Sequence, residues 1–283
     1  MKKVAILTDS TAYLPQGLMG KYEISSVPLA VIWGEETFED GLTITPAEFY
    51  TRLRSAKIMP STSQPSVGTM QNAMSTLLAQ GYDVLGIFIS SKLSGTMQSA
   101  IQARELLPKG SKVEIFDSES TTLALGFQVL AAARAAADGA RLDECQIVAE
   151  QARLKTGVYF MVDTLEFLYR GGRIGGGARF VGTALNMKPI LYMHKGKIES
   201  LDRVRTKGKA LDRLIELVAE KCDGKNPIRL AGCHANSPED AQALVDKASQ
   251  RLAPTETLVG DLSPVIGTHV GPGTIALAYM AGM

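Results

Sequence analysis

Short runs rich in valine and isoleucine recur along the chain, at Lys3 to Leu7, Ser26 to Trp33, Val84 to Ile89 and Val113 to Phe116, with longer amphipathic segments between them. Apolar β-branched runs bounded by polar residues read as strands, and their alternation with helical periods predicts α/β layering. Thr45-Pro46-Ala47-Glu48 supplies a capping hydroxyl, a proline at the first helical position and a glutamate that can reach back to the cap. A helix should begin there, with Phe49, Tyr50 and Leu53 on its apolar face. Ser66 caps a second helix that Gly81 ends, and Ser94 stands at the start of a third that reaches about Leu107. An alanine-rich stretch from about Leu123 to Leu154, broken at Asp138-Gly139, predicts two helices packed on each other.

The texture changes after Gly157. Apolar runs at Tyr159 to Val162, Ile190 to His194 and Ile198 to Val204 follow, the last two joined by Lys195-Gly196-Lys197 as in a hairpin, which implies antiparallel pairing. Helices at about Thr206 to Cys222 and Pro238 to Leu252 then alternate with strands at about Ile228 to His234 and Glu256 to Asp261. The expected division is residues 1–160 and 161–283, in broad contact because no Pro, Gly or Ser linker separates them.

Composition narrows the classes of function. The chain has 283 residues, 45% hydrophobic and 21% charged, which excludes disorder and allows one large domain or two ordinary ones. Thirty Lys plus Arg against 29 Asp plus Glu leave a formal net charge of +1, so neither nucleic acid nor an anionic membrane surface is an expected partner. No apolar stretch approaches the roughly 18 residues of a membrane span, and Met1-Lys2-Lys3 runs straight into a strand without a signal sequence. Cys145, Cys222 and Cys233 form no Cys-x-x-Cys pair, and a cytoplasmic location is expected.

Strong catalytic signatures are missing. The P-loop spacing, the His-Glu-x-x-His helix and the Gly-x-Ser-x-Gly elbow do not occur, and the Gly171-to-Gly177 cluster fits no dinucleotide fingerprint. His194, His234 and His269 are too far apart in sequence for a local multi-histidine metal motif. Asp9, Asp117 and Asp163 end predicted strands, where a carboxylate can hold magnesium but more often caps a turn. No metal and no cofactor are expected.

Four segments concentrate small hydroxyl residues and glycine at strand ends: Thr8 to Thr11, Pro60 to Ser66, Ser90 to Thr96 and Ser263 to Gly273. Ligands of α/β sheets bind at such ends. Thr62 and Ser94, beside helix starts, suit one small anion, and a carboxylate fits better than a phosphate because no Arg or Lys cluster accompanies them. Capping is the commoner role of any single hydroxyl. His269, between glycines in an uncharged loop, can donate to an anion or shuttle a proton.

Six separated motifs carry a resemblance: Thr8-Asp9-Ser10-Thr11, Thr62-Ser63-Gln64-Pro65-Ser66, Ser91-Lys92-Leu93-Ser94-Gly95-Thr96, the run from Asp163 to Ile174 containing Arg170-Gly171-Gly172-Arg173, Lys188-Pro189-Ile190-Leu191, and Val265 to Gly273 containing Gly267-Thr268-His269. In this order they resemble the DegV family. The resemblance implies an N-terminal three-layer α/β/α domain with a mostly parallel sheet, a C-terminal α/β domain with a mixed or antiparallel sheet, and a ligand between them. It implies a non-enzymatic carrier that binds a long-chain, palmitate-like fatty acid and presents it to a separate fatty acid kinase. Carried over by motif, Thr62, Ser94 and His269 would hold the carboxylate. Ser63, Gly95, Thr96, Arg170, Gly267 and Thr268 would support it, with Arg173 an equal candidate to Arg170, and Arg203 and Arg205 would face the kinase. Met70, Met74 and Met97 are candidates for tunnel lining. The rival reading is a kinase or phosphotransferase subunit related to dihydroxyacetone kinase, acting on a small hydroxyl compound, with Asp9 or Asp117 on magnesium.

Overall fold

The computed structural model describes residues 3–174 and 187–283. Its first elements are β1 (Val4–Asp9), α1 (Gln16–Lys21), β2 (Ser25–Val27), β3 (Ala30–Trp33), β4 (Glu36–Glu39), α2 (Pro46–Arg54), β5 (Ser61–Ser63), α3 (Val67–Ala79), β6 (Asp83–Phe88), α4 (Thr96–Glu105), β7 (Val113–Asp117), α5 (Thr122–Ala137) and α6 (Leu142–Lys155). There follow β8 (Thr156–Met161), α7 (Glu166–Gly171), β9 (Lys188–His194), β10 (Lys197–Val204), α8 (Lys207–Cys222), β11 (Ile228–His234), α9 (Pro238–Leu252), β12 (Glu256–Asp261), α10 (Pro264–Val270) and β13 (Ile275–Ala281).

Among the described residues the strands form three sheets. The first, ordered β2-β1-β6-β7, is wholly parallel. The second, ordered β10-β9-β8-β13-β11-β12, is antiparallel except for the β11–β12 pair. A small antiparallel sheet, β4-β3-β5, completes the set.

Burial explains how the sheets stack. Every residue of α5 from Thr122 to Ala133 is buried, so this helix is covered all round except at its last turn. Its alanines let it lie between Ile6, Leu85 and Ile87 of the parallel sheet and Val158, Phe160 and Ala278 of the mixed sheet, all in one apolar cluster. Met70, Met74, Met97 and Ala100 of α3 and α4 cover the outer face of the parallel sheet. Leu214 and Val218 of α8 with Leu244 and Val245 of α9 cover the outer face of the mixed sheet. The N-terminal part is therefore the expected three-layer α/β/α unit, and the mixed sheet with its helices is the expected second α/β unit.

Several local expectations change. Ser26 to Trp33 is not one strand: Pro28, which has no N–H to donate to a ladder, separates β2 from β3, and the Leu29 N–H donates to Ser10 Oγ. The cap of α4 is Gly95, not Ser94. Ser263 to Gly273 is not a loop, since Ser263 Oγ accepts from the Ile266 N–H, Pro264 takes the first helical position and α10 forms. Met70, Met74 and Met97 pack into the outer core and do not line the cleft described below. The hairpin is confirmed, with Lys195 and Gly196 at φ 47° and 78° as a tight two-residue turn requires.

Candidate ligand-binding site

An apolar cleft lies where the strand ends of the parallel sheet meet the inner face of the mixed sheet, the position that α/β folds reserve for ligands. Its walls are mostly hydrocarbon, including Ile89, Leu93, Phe160, Ile198 and Ile266. Polar groups gather at Thr62, Ser63, Gln64, Ser94, Arg173 and His269.

Two of these groups meet across 207 positions of sequence. Thr62 Oγ1 on β5 lies 2.8 Å from His269 Nε2 on α10. The other ring nitrogen, Nδ1, is buried without a partner and abuts Gly171, where an added Cβ would lie 2.2 Å away. An orphaned acceptor is better tolerated than an orphaned N–H, so Nδ1 is the bare nitrogen and Nε2–H donates to Thr62. The Thr62 hydroxyl is then free to donate its own hydrogen to a ligand. Burial, with the Arg173 guanidinium nearby, pushes the His269 imidazole down to about 4, so it is neutral at pH 7.

The remaining sequence candidates divide by place. Ser94 Oγ accepts from the Thr96 N–H and shares a hydrogen bond of 2.9 Å with Thr96 Oγ1, which fixes it at the cleft wall. Ser63 lines the cleft and donates to the Gln64 carbonyl. Gly95 packs on the Gln64 side chain, and Gly267 abuts Tyr50 and Phe49, bringing α10 close to α2. Thr268 Oγ1 donates to the Pro264 carbonyl inside α10. Arg170 is exposed and paired with Glu166 at 2.5 Å, whereas Arg173 lines the cleft, donating from Nε to the Leu93 carbonyl and from Nη1 to the Gly171 carbonyl. Of the two arginines, Arg173 is the one at the site, so a cation does accompany the hydroxyls. The Arg-Gly-Gly-Arg motif was the only sequence signal for it. Arg203 on β10 and Arg205 just beyond it are exposed. Gly175 to Gly177 lie outside the described residues.

The acidic candidates are engaged elsewhere. Asp9 is fully buried, accepting from the Thr11 N–H and hydroxyl and from the Ile89 N–H. Asp117 accepts from the Glu119 and Ser91 N–H groups, and Asp163 pairs with Lys188 at 2.6 Å. Among the described residues no cluster of three or more His, Cys, Asp or Glu is placed to hold a metal, and no helix is long and apolar enough to cross a membrane.

Burial of His269 gives a pH signature. The folded imidazole takes its proton only near 4 while an unfolded one does so near 6.5, so between these values the unfolded chain binds more protons. Stability contributed by this group is present above about pH 6.5 and falls as the pH drops toward about 4. Asp40 acts oppositely: burial pushes its carboxyl up to about 6 from 3.8, so its contribution improves on acidification through that window. In urea titrations His269→Gln is expected to lose less stability than the wild type between about pH 6.5 and about pH 4. An equal loss would show that His269 is not protonated on unfolding in that range.

Comparison with known proteins identifies the family of the chain. The DegV family model matches residues 3–282. A DegV domain-containing protein of Clostridium acetobutylicum is 37% identical over 279 residues, covering 98% of this chain and 97% of its own. The solved structure of a fatty-acid-binding DegV family protein from Thermus thermophilus superimposes with a TM-score of 0.92 at 35% identity, covering 99% of each chain. A stearic acid-binding protein from Eubacterium ventriosum gives 0.90 at 25% identity, covering 100% of this chain and 99% of its own. With nearly its whole length matched by the family model and by relatives of this similarity, the chain belongs to the DegV family.

Proposed function

We propose that this protein binds a long-chain fatty acid in the cleft and, without breaking a bond itself, presents the carboxylate to a separate fatty acid kinase. The observation that carries the reading is the pairing of a hydrocarbon-walled cleft with one compact polar end at Thr62, Ser94, Arg173 and His269. The fatty-acid-binding relatives of the same fold support it.

The energetics divide between the two ends. A palmitate-like tail has about 14 methylenes, and at roughly 0.8 kcal/mol each their burial is worth on the order of 11 kcal/mol before the costs of association. The head has to offset only the desolvation of one carboxylate. Thr62, oriented by His269, and Ser94, oriented by Thr96, supply hydroxyl donors, and Arg173 supplies the charge. A neutral His269 holds Thr62 without adding a second cation, so the acid is retained but not locked in an ion-pair cage. The kinase is proposed to dock on the exposed basic segment at Arg203 and Arg205, and the protein to act in the cytoplasm.

Extraction of the purified protein followed by mass spectrometry should release a stoichiometric fatty acid. In palmitate titrations Thr62→Val and Ser94→Ala are each expected to weaken binding about three- to tenfold, and Arg173→Gln about tenfold or more, because its hydrogen bond is charge-assisted. Unchanged palmitate affinity in the triple variant would sink the head-group assignment.

A further inference from the structure

The hydrocarbon wall of the cleft is interrupted once more, at the first turn of α5. Thr121 and Thr122 both line the cleft and are each only 7% exposed, yet neither Oγ1 has a hydrogen-bond partner. The Thr122 hydroxyl has only the Cys233 thiol beside it, a weak partner. Thr121 is the N-cap of the 16-residue α5, but its side chain accepts from no helix N–H, unlike Ser66 on α3 or Thr206 on α8. Thr274, which also lines the cleft, is by contrast satisfied by the Val270 and Gly271 carbonyls. Two buried hydroxyls on cleft-lining residues at the positive end of a long helix, one without a partner and the other with only a thiol beside it, are arranged to meet an oxygen atom.

We propose that this turn of α5 receives a second oxygen of the ligand, so that the cleft accepts acyl chains bearing a hydroxyl or carbonyl group on the tail. The proposal rests on the fatty-acid reading of the same cleft and specifies its substrate class. A carbonyl oxygen would accept from both threonines, and a hydroxyl would accept from one and donate to the other. Against a plain hydrocarbon wall the same oxygen would go unpaired and weaken binding by roughly five- to a hundredfold.

The test is a titration of the full-length protein, freed of bound lipid, with stearate and with a positional series of monohydroxystearates. At least one positional isomer should bind as tightly as stearate or up to about tenfold tighter, while the others bind more weakly. Thr121→Val, which keeps the shape of the side chain, should lower the affinity for the favoured isomer relative to that for stearate about tenfold. If stearate binds but every isomer is weaker, the proposal fails and the fatty-acid reading stands. If an isomer is favoured and Thr121→Val does not change it, the threonines serve bound water and the proposal also fails. Failure of stearate itself to bind would overturn the fatty-acid reading beneath it.

Discussion

Phe127→Ala is expected to lower the unfolding free energy by about 3–5 kcal/mol, the cost of removing a large aromatic side chain from a core that only partly collapses. Phe127 is fully buried on α5, in the cluster shared by the parallel and mixed sheets. The loss should therefore appear in both halves of the chain. Hydrogen exchange should show amides of β6 and of β13 losing protection together, with one urea transition in far-UV circular dichroism. If the exchange of β13 stayed at its wild-type rate while β6 opened, the two sheets would be shown to unfold independently.

Gly171→Ala should do comparable harm to binding. The new Cβ would lie 2.2 Å from His269 Nδ1 and 3.1 Å from Cε1, too close for the ring to stay where it is. The ring is held on its other side by Thr62, so relieving the clash breaks that hydrogen bond or shifts α10. Palmitate affinity should fall about tenfold, with a stability loss of about 1–3 kcal/mol from overpacking. The decisive comparison is a double-mutant cycle: in a His269→Ala background the glycine substitution should have almost no further effect on affinity. A full additional loss there would mean that Gly171 matters through its backbone and not through the histidine.

The layered fold was largely legible because its signals are local. Thr45, Pro46 and Glu48 form the capping box that their spacing implied, and the Ala-rich stretch broke between α5 and α6 at Asp138-Gly139 as its residues suggested. The small sheet was not legible, since β5 has three residues, all serine or threonine, and owes its pairing with β3 to tertiary context. The seven-residue α10 is too short to show a helical period, and its glycine and proline content resembles a loop. Motif resemblance picked out Thr62, Ser94 and His269, but the Thr62–His269 bond joins β5 to α10 and no local pattern encodes it. Arg170 and Arg173 are three residues apart in one motif, and only the turn that ends α7 separates the one facing Glu166 from the one facing the cleft. The threonines at the start of α5 carried no signal in the sequence, because an unpaired hydroxyl leaves no trace there.

The small sheet that carries Thr62 also contains the chain's single tryptophan. Trp33 is buried on β3, its indole N–H donates to the Ile58 carbonyl at 2.7 Å on the segment leading into β5, and the Arg52 guanidinium lies 4.4 Å from its ring centroid. Val31 and Ile32 of the same strand pair directly with Thr62 and Ser61. Trp33 thus lies one strand away from Thr62 with a charge over its ring, so if a carboxylate seats at Thr62 as proposed, a change in intrinsic tryptophan emission is the expected label-free signal.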